Sequence, residues 1–185
     1  MINTNDILET IRMIETQHLD IRTVTMGISL LDCIDSDIDK ACTKVYDKMM
    51  RVAQNHVKTG EDIEKQYGIP IINKRISVTP ISIVAAATRS KNPVKFAKTL
   101  QRVAEGTGVN YIGGYSALVH KGYAAGDLEL INSIPEAMAE TSNVCSSVNI
   151  GSTKAGINMD AVSMMGKVIY DAATATKDNY CFGAA

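Results

Sequence analysis

Residues 144–160 read V-C-S-S-V-N-I-G-S-T-K-A-G-I-N-M-D, and this stretch decides the fold class. A β-type run at 144–150 is followed by small and polar residues at 151–156, and Asn158 then offers a helix-capping side chain. A strand, a short loop of small residues and a helix, in that order, are typical of ligand sites in α/β proteins. The stretch therefore predicts an α/β protein with a binding site beside this loop.

Three further β-type runs precede it, at 21–31, 69–78 and 109–119. Helical patterns precede and separate these runs, and they lie at 7–14, 38–53, 81–88, 92–106 and 126–141. Asp6 and Glu9 are spaced as a capping pair for the first of these helices, and Ser36 can cap the second. A last helix is expected after Asn158. Strands that alternate with helices predict a single α/β domain over residues 1–185 with a largely parallel sheet. Four or five such units make half of a barrel or one open sheet.

Composition excludes several classes of protein. The chain has 185 residues, a formal net charge of −1 and no Trp, so neither a basic groove nor a base-stacking surface for nucleic acid is expected. It has no apolar run of the roughly 18 residues that a membrane span needs. The polar N-terminus lacks a signal-peptide pattern, and the four cysteines show no C-x-x-C spacing. A cytoplasmic protein with reduced thiols is predicted.

Chemistry-bearing residues follow each predicted strand. Because ligands of parallel α/β proteins bind at the carboxyl ends of strands, these residues predict a site for a small anion, a carboxylate or a phosphate. The candidates for anion or substrate binding are Asp32, Asn73, Lys74, Arg75, Ser116, Lys121, Asn149, Ser152, Thr153 and Lys154. Alternation along the strand should send Lys74 to one face of the sheet and Asn73 and Arg75 to the other.

Each of these motifs also has a structural interpretation. The loop 151–156 lacks the Gly-Lys-Ser/Thr end of a Walker A motif, and it is either an anion-binding loop or a tight strand-to-helix turn. The charges at 73–75 either meet a ligand or reach water at a strand edge. Gly113 and Gly114 either admit a ligand to the backbone or form a β-bulge, which we favour.

The cysteines and histidines contribute less. Carboxylates beside Cys33 should raise the pKa of its thiol, and Cys145 is expected to be a small core residue. His18, His56 and His120 are scattered without the spacing of a metal site, and the first two should lie on the surface. No Ser-His-Asp or G-x-S-x-G pattern occurs, so no catalytic residue, metal or cofactor is indicated.

Four segments resemble a known family. They are D-I-R-T-V-T-M-G-I-S-L-L-D-C-I-D (20–35), G-I-P-I-I-N-K-R-I-S-V-T-P-I-S (68–82), I-G-G-Y-S-A-L-V-H-K-G (112–122), and I-N-S-I-P-E-A-M-A-E-T with V-C-S-S-V-N-I-G-S-T-K-A-G-I-N-M (131–159). They are similar to the bacterial and archaeal PFL family protein, a group related in fold to pyruvate formate-lyase.

The resemblance implies part of an α/β barrel like that of the glycyl radical enzymes, and a homodimer. It also implies the N-terminal portion of a longer barrel, and residues 178–185 do look like the start of a further apolar strand. No radical-bearing Gly segment of the R-V-x-G-Y type is present, and the resemblance assigns no catalytic residue.

Three functions remain open from the sequence. The first is an enzyme that acts on a small anionic metabolite at the carboxyl ends of the strands. The alternative is a non-catalytic protein that binds such a metabolite and regulates a partner. The third is a structural half-barrel, whose unpaired sheet edges would drive aggregation or dimerisation.

Overall fold

A computed structural model of the chain describes residues 3–17, 20–88, 92–124 and 126–184. The sequence-predicted α/β architecture with a parallel sheet is confirmed. The strands of the main sheet are β1 (Ile21–Ile28), β2 (Ile71–Val78), β3 (Tyr111–Leu118) and β4 (Val144–Asn149). The helices are α1 (Thr4–Glu15), α2 (Ile38–Ala53), α3 (His56–Tyr67), α4 (Ile81–Ala85), α5 (Val94–Thr107), α6 (Asp127–Glu140) and α7 (Met159–Ala175).

The main sheet takes its strands in chain order. Its order is β1-β2-β3-β4, and every neighbouring pair is parallel. A parallel crossover is nearly always right-handed, so repeated steps in one direction put every connecting helix on the same side of the sheet. The helix packing agrees, because α2 contacts α5, α5 contacts α6, and α6 contacts α7. We call this side of the sheet the helix face and the other side the open face.

The hydrophobic core lies between the sheet and this helix layer. Ile76, Ile112 and Val144 are register partners on the helix face and belong to one buried cluster with helix residues such as Phe96 and Leu130. Burying a large aliphatic or aromatic side chain stabilises the fold by about 1.5–3 kcal/mol each. The apolar positions of the strands therefore hold the helices to one face.

The helix caps differ in part from the predicted ones. The N-cap residue of α1 is Asn3, and the predicted capping pair of Asp6 and Glu9 does not form. The Asn3 side chain instead forms a capping box with Asp6. Asp37, rather than Ser36, caps α2, and its side chain accepts hydrogen bonds from the Asp39 and Lys40 backbone N–H groups. Asn158 caps α7 as predicted, since its side chain accepts from the Ala161 N–H. Neighbouring polar residues compete for a cap, and sequence spacing alone did not separate them.

Helix α3 was not predicted, and it sets the position of two residues. His56 at its start was expected on the surface, but it is buried and its Nε2 lies 3.1 Å from the Arg75 carbonyl oxygen. Glu64 accepts a hydrogen bond from the Ile71 N–H and forms a 3.1 Å ion pair with Lys74. These contacts attach α3 to the first half of β2. His18, which was also expected on the surface, lies outside the described residues.

A β-bulge interrupts strand β3 at Gly114, as the sequence interpretation favoured. The register against β4 shifts between Gly113 and Tyr115, and Gly114 has a φ of +134°. A Cβ on Gly114 would overlap the Val78 side chain and lie 2.9 Å from the Val78 carbonyl oxygen. The bulge turns Tyr115 to the helix face, where its hydroxyl lies 2.6 Å from that of Ser133.

Two other expectations change. Residues 151–156 do not form a simple loop, because β5 (Gly151–Ser152) and β6 (Gly156–Ile157) make a small antiparallel hairpin before α7. The apolar strand expected near the end of the chain is also absent from the described residues, where Lys177–Asn179 and Phe182–Ala184 form 3₁₀ turns. No described helix combines the length and the apolar character needed to cross a membrane.

Replacing Gly114 by alanine should destabilise the protein by about 2 kcal/mol or more, because the new methyl group meets the β2 backbone at a strained φ. Gly113→Ala is the matched control, since a Cβ there meets nothing within 4 Å. Urea unfolding followed by circular dichroism measures both variants. Equal midpoints for the two would contradict this account of the bulge.

Glu64→Gln should make the free energy of unfolding depend less on pH in the acidic range. The Ile71 N–H and the Lys74 ammonium lower the pKa of Glu64. Its stabilising effect is therefore present above the ordinary glutamate pKa of about 4.3 and is lost as the pH falls through the lowered value. The variant should unfold at lower urea than the native chain at neutral pH, with the gap narrowing as the pH falls below the ordinary glutamate pKa of about 4.3. Glu61→Gln, at an exposed position on the same helix, is the matched control and should unfold at the same urea concentration as the native chain at neutral pH.

Candidate functional site

The open face of the sheet is made mostly of small and polar side chains. The strand register places these residues in rows across neighbouring strands. The rows are Ile21 with Ile71; Thr23 with Asn73; Thr25 with Arg75 and Tyr111; Gly27 with Ser77, Gly113 and Cys145; Ser116 with Ser147; and Leu118 with Asn149. A sheet face that packs against other layers usually carries Val, Ile and Leu. This composition instead suits a face that meets water or a polar ligand.

Arg75 is the cation of the open face. Its guanidinium lies 5.4 Å from the centre of the Tyr111 ring, on the neighbouring strand. Such a contact positions an arginine while leaving its N–H groups available. Arg75 is exposed, and no carboxylate of the described residues lies within ion-pair distance of it. An arginine held in this way is suited to bind a carboxylate or a phosphate.

Cys145 lies on the same face within the electrostatic influence of Arg75. Burial raises the pKa of the Cys145 thiol, and the Arg75 charge partly opposes this by lowering it. The sequence interpretation of Cys145 as a core residue is therefore wrong, since its side chain is exposed. Burial statistics for cysteine did not reveal that its strand position faces away from the helices.

Four of the sequence-predicted candidates share the open face. Asn73 donates through Nδ2 to the Arg22 carbonyl, and the Ser116 hydroxyl donates to the Gly114 carbonyl. Asn149, at the end of β4, accepts from the Gly151 N–H. Asn73 and Arg75 lie in the middle of β2 rather than at its carboxyl end, because the strand continues to Val78. Thr25 and Tyr111 complete their row and were missed, although strand alternation alone would have placed them there.

Two candidates are engaged in ion pairs within the scaffold. Lys74 lies on the helix face, where its methylene chain passes Gly60 of α3 and its ammonium binds Glu64. Asp32 lies in the 3₁₀ turn after β1 and forms a 2.5 Å ion pair with Lys48 of α2. These two side chains already have partners and lie apart from the polar rows of the open face.

The remaining candidates lie in the connections beyond β3 and β4. Ser152 accepts from the Ala155 N–H within the hairpin, and Thr153 and Lys154 are exposed at its tip. Lys121 is exposed just after β3. The hairpin base is tied to β3, because Asn158 donates through Nδ2 to the Val119 carbonyl. The hydroxyls of the hairpin therefore serve first to shape it.

Cys33 has a structural environment. Its thiol is buried and donates to the Asp32 carboxylate at 3.7 Å. Burial is the main cause that raises the pKa of this thiol, and the Asp32 charge adds to it. The expected direction is confirmed, and Cys33 stays protonated and neutral near pH 7. Within the described ranges, no group of three His, Cys, Asp or Glu residues is arranged to hold a metal ion.

A groove of about 1260 Å³ runs along the outer edge of β4. Its walls come from β4, α6, α7 and the 3₁₀ turns that follow α7, with further residues from α5 and β3, and include Met138, Met165, Val168 and Ile169. Cys145 and Ser147 also line it, so the groove reaches round the strand edge to the open face. The β4 edge groove, as we call it, thus joins an apolar side under the helices to a polar side on the open face.

Comparison with known proteins gives the family. Residues 12–185 match the family described as Uncharacterised ACR (DUF711). The chain is similar to proteins named UPF0210 protein, with 60% identity over 178 residues in Desulforamulus reducens and 60% over 184 residues in Listeria monocytogenes. The first match covers 96% of this chain and 39% of the relative, and the second covers 100% and 41%. The chain thus spans about two fifths of the length of these relatives.

The resemblance to the PFL family is corrected by these matches. Both the family match and the names of the relatives point elsewhere, and nothing in them points to a PFL family protein. The homodimer expected from that resemblance loses its basis as well. With 174 of its residues matched, from 12 to 185, the chain belongs to the DUF711 family of uncharacterised proteins.

Proposed function

We propose that the open face binds a small anionic metabolite, a carboxylate or a phosphate, with Arg75 as its main charged contact. The observation that carries this proposal is the environment of Arg75, which is exposed, lies over the Tyr111 ring and has no acidic partner among the described residues. Hydroxyl and amide groups surround it, with Thr25 in its own row and Asn73 and Ser77 in the neighbouring rows. Neutral donors beside one arginine favour an anion over a cation.

We further propose that the open face becomes the inside of an α/β barrel in the longer members of the family. Helices on one side and consecutive parallel strands are the arrangement of a barrel, whereas an open doubly wound sheet carries helices on both faces. Closure would enclose the polar rows and lower the local dielectric constant. A buried arginine–anion pair is stronger in such an enclosed site than on an open surface.

An enzyme is the first interpretation of this site. Cys145 supplies a titratable group on the same face, and groups whose pKa departs from the ordinary value cluster at functional sites. The alternative is a non-catalytic protein that binds the metabolite and regulates a partner. The mostly neutral lining of the face favours that alternative, and turnover of a bound metabolite by a full-length relative would decide for the enzyme.

Arg75→Met should abolish stabilisation by anions. At ten times its dissociation constant, a ligand stabilises the native chain by about 1.4 kcal/mol, which raises the melting temperature by roughly 3–5 °C for a protein of this size. Inorganic phosphate and succinate are the probes, each titrated at constant ionic strength. Arg51→Met, which removes an exposed charge from α2, is the matched control. Equal responses of the two variants, or no response of the native chain, would contradict the proposal.

The alkylation rate of Cys145 gives a second readout. Because Arg75 lowers the thiol pKa, Arg75→Met should raise that pKa and slow the reaction of Cys145 with N-ethylmaleimide near neutral pH. A bound anion should also slow it in the native chain by covering the thiol. Cys181 is exposed and serves as the internal control. Mass spectrometry of timed samples separates the two sites, and parallel changes at both would count against a shared site for Arg75 and Cys145.

A further inference from the structure

We propose that the β4 edge groove is the seat of a fifth parallel strand, supplied by the part of the longer family members that lies outside the matched region. The inference rests on the proposed closure of the barrel and adds where closure begins and what kind of segment occupies the groove. It does not depend on anion binding by Arg75, so the two proposals fail separately.

The first argument is the free edge of β4. The Ile112 N–H donates to the Asn143 carbonyl, and the Val119 N–H donates to the Asn149 carbonyl. Backbone groups alternate in direction along a parallel strand, so Cys145 and Ser147 face β3 as well. The N–H and C=O groups of the residues between them then point outward. Those residues are Val144, Ser146 and Val148, and within the described chain β4 pairs with β3 alone.

The second argument is the topology. Each βα unit moves the chain one place across the sheet in the same direction, from β1 to β4. Helix α7 packs on α6 in the same way that α6 packs on α5. A strand that follows such a helix by a right-handed crossover lies parallel to β4 at its free edge.

The third argument is the lining of the groove. On the helix side it is lined by apolar residues such as Met138, Met165 and Ile169, the last of them 53% exposed, and by polar residues that include Gln101, Glu140 and Asn179. On the open side it meets Cys145 and Ser147. The groove therefore fits a strand of about six residues that alternates, with apolar side chains towards α6 and α7 and small or polar ones towards the open face. A strand with this pattern would continue both the core and the polar rows.

The fourth argument is length. The relatives from Desulforamulus and Listeria share only 39% and 41% of their length with this chain. Their remaining sequence is ample to supply further strands. A long unpaired edge beside an apolar groove is also a hazard for aggregation that proteins normally cover.

The test uses the 185-residue chain and synthetic peptides of about 12 residues that tile the unmatched part of the Listeria relative, in the manner of strand addition to a sheet edge. Fluorescence anisotropy measures binding, and hydrogen exchange follows the amides of Val144, Ser146 and Val148. We expect one tile to bind and to slow exchange at all three amides. In the full-length relative, the aligned amides should exchange slowly without any peptide.

Two variants of β4 separate strand pairing from other effects. Ser146→Pro removes an outward N–H, which an edge strand tolerates, and should weaken binding of the tile at least tenfold. The Ser146 hydroxyl also donates to the Tyr115 carbonyl at 2.8 Å, so Ser146→Ala controls for the loss of that bond. The alanine variant should bind as the native chain does.

Two variants of α7 test the groove. Ile169→Glu places a charge against the bound strand and should also weaken binding at least tenfold. Tyr170→Glu is its control, because Tyr170 is 72% exposed and does not line the groove. Fast exchange of the three aligned amides in the full-length relative would overturn the proposal. So would binding that is insensitive to both Ser146→Pro and Ile169→Glu, or a β4 edge already protected by a second copy in a dimer of the chain.

Discussion

The structure depends on one constraint, the handedness of parallel crossovers in a sheet whose strands follow chain order. Each crossover must return over the same side of the sheet, because a right-twisted strand that feeds a right-handed helix packs back in only one way. All connecting helices therefore share the helix face, and the apolar side chains of the strands gather there. The buried cluster from Ile28 to Val168 is a consequence of this arrangement rather than its cause.

Two surfaces that the described residues leave uncovered follow from the same constraint, and they differ in chemistry. The open face meets its surroundings with glycine, hydroxyl and amide groups and with Arg75, all of which water can solvate. The β4 edge groove instead presents apolar side chains and unpaired backbone groups, which water solvates poorly together. The first surface is therefore suited to a small ligand and the second to more polypeptide. Cys145 and Ser147 belong to both, so covering the edge would also complete one wall of the proposed ligand site.

Strand and helix periods predicted most of the elements, because the two periods are local and the core reinforces them. The strands at 71–78 and 144–149 and the bulge at Gly114 lie where the pattern indicated. Helix α3 was missed because its mean apolar content is low and only His56 and Gly60 are buried. The hairpin at 151–157 was missed because small polar residues suit a turn, a loop and a short antiparallel pair about equally. Residues 178–184 were wrongly expected to form a strand, and an apolar run alone does not create one without a partner to pair with.

At the candidate site, too, some features follow from the local sequence and others only from the tertiary structure. By itself, the sequence determined the fold class, the alternation that separates Lys74 from Arg75, and the helix cap at Asn158, since each depends on residues a few positions apart. Only the tertiary structure decided that Lys74 and Asp32 are held by Glu64 and Lys48, that Arg75 lies beside Tyr111, and that Cys145 lies within the electrostatic field of Arg75. Those relations join residues up to 70 positions apart, between Arg75 and Cys145, and they follow from strand order and register. Register in a sheet is set by packing of the whole core, which no local pattern encodes.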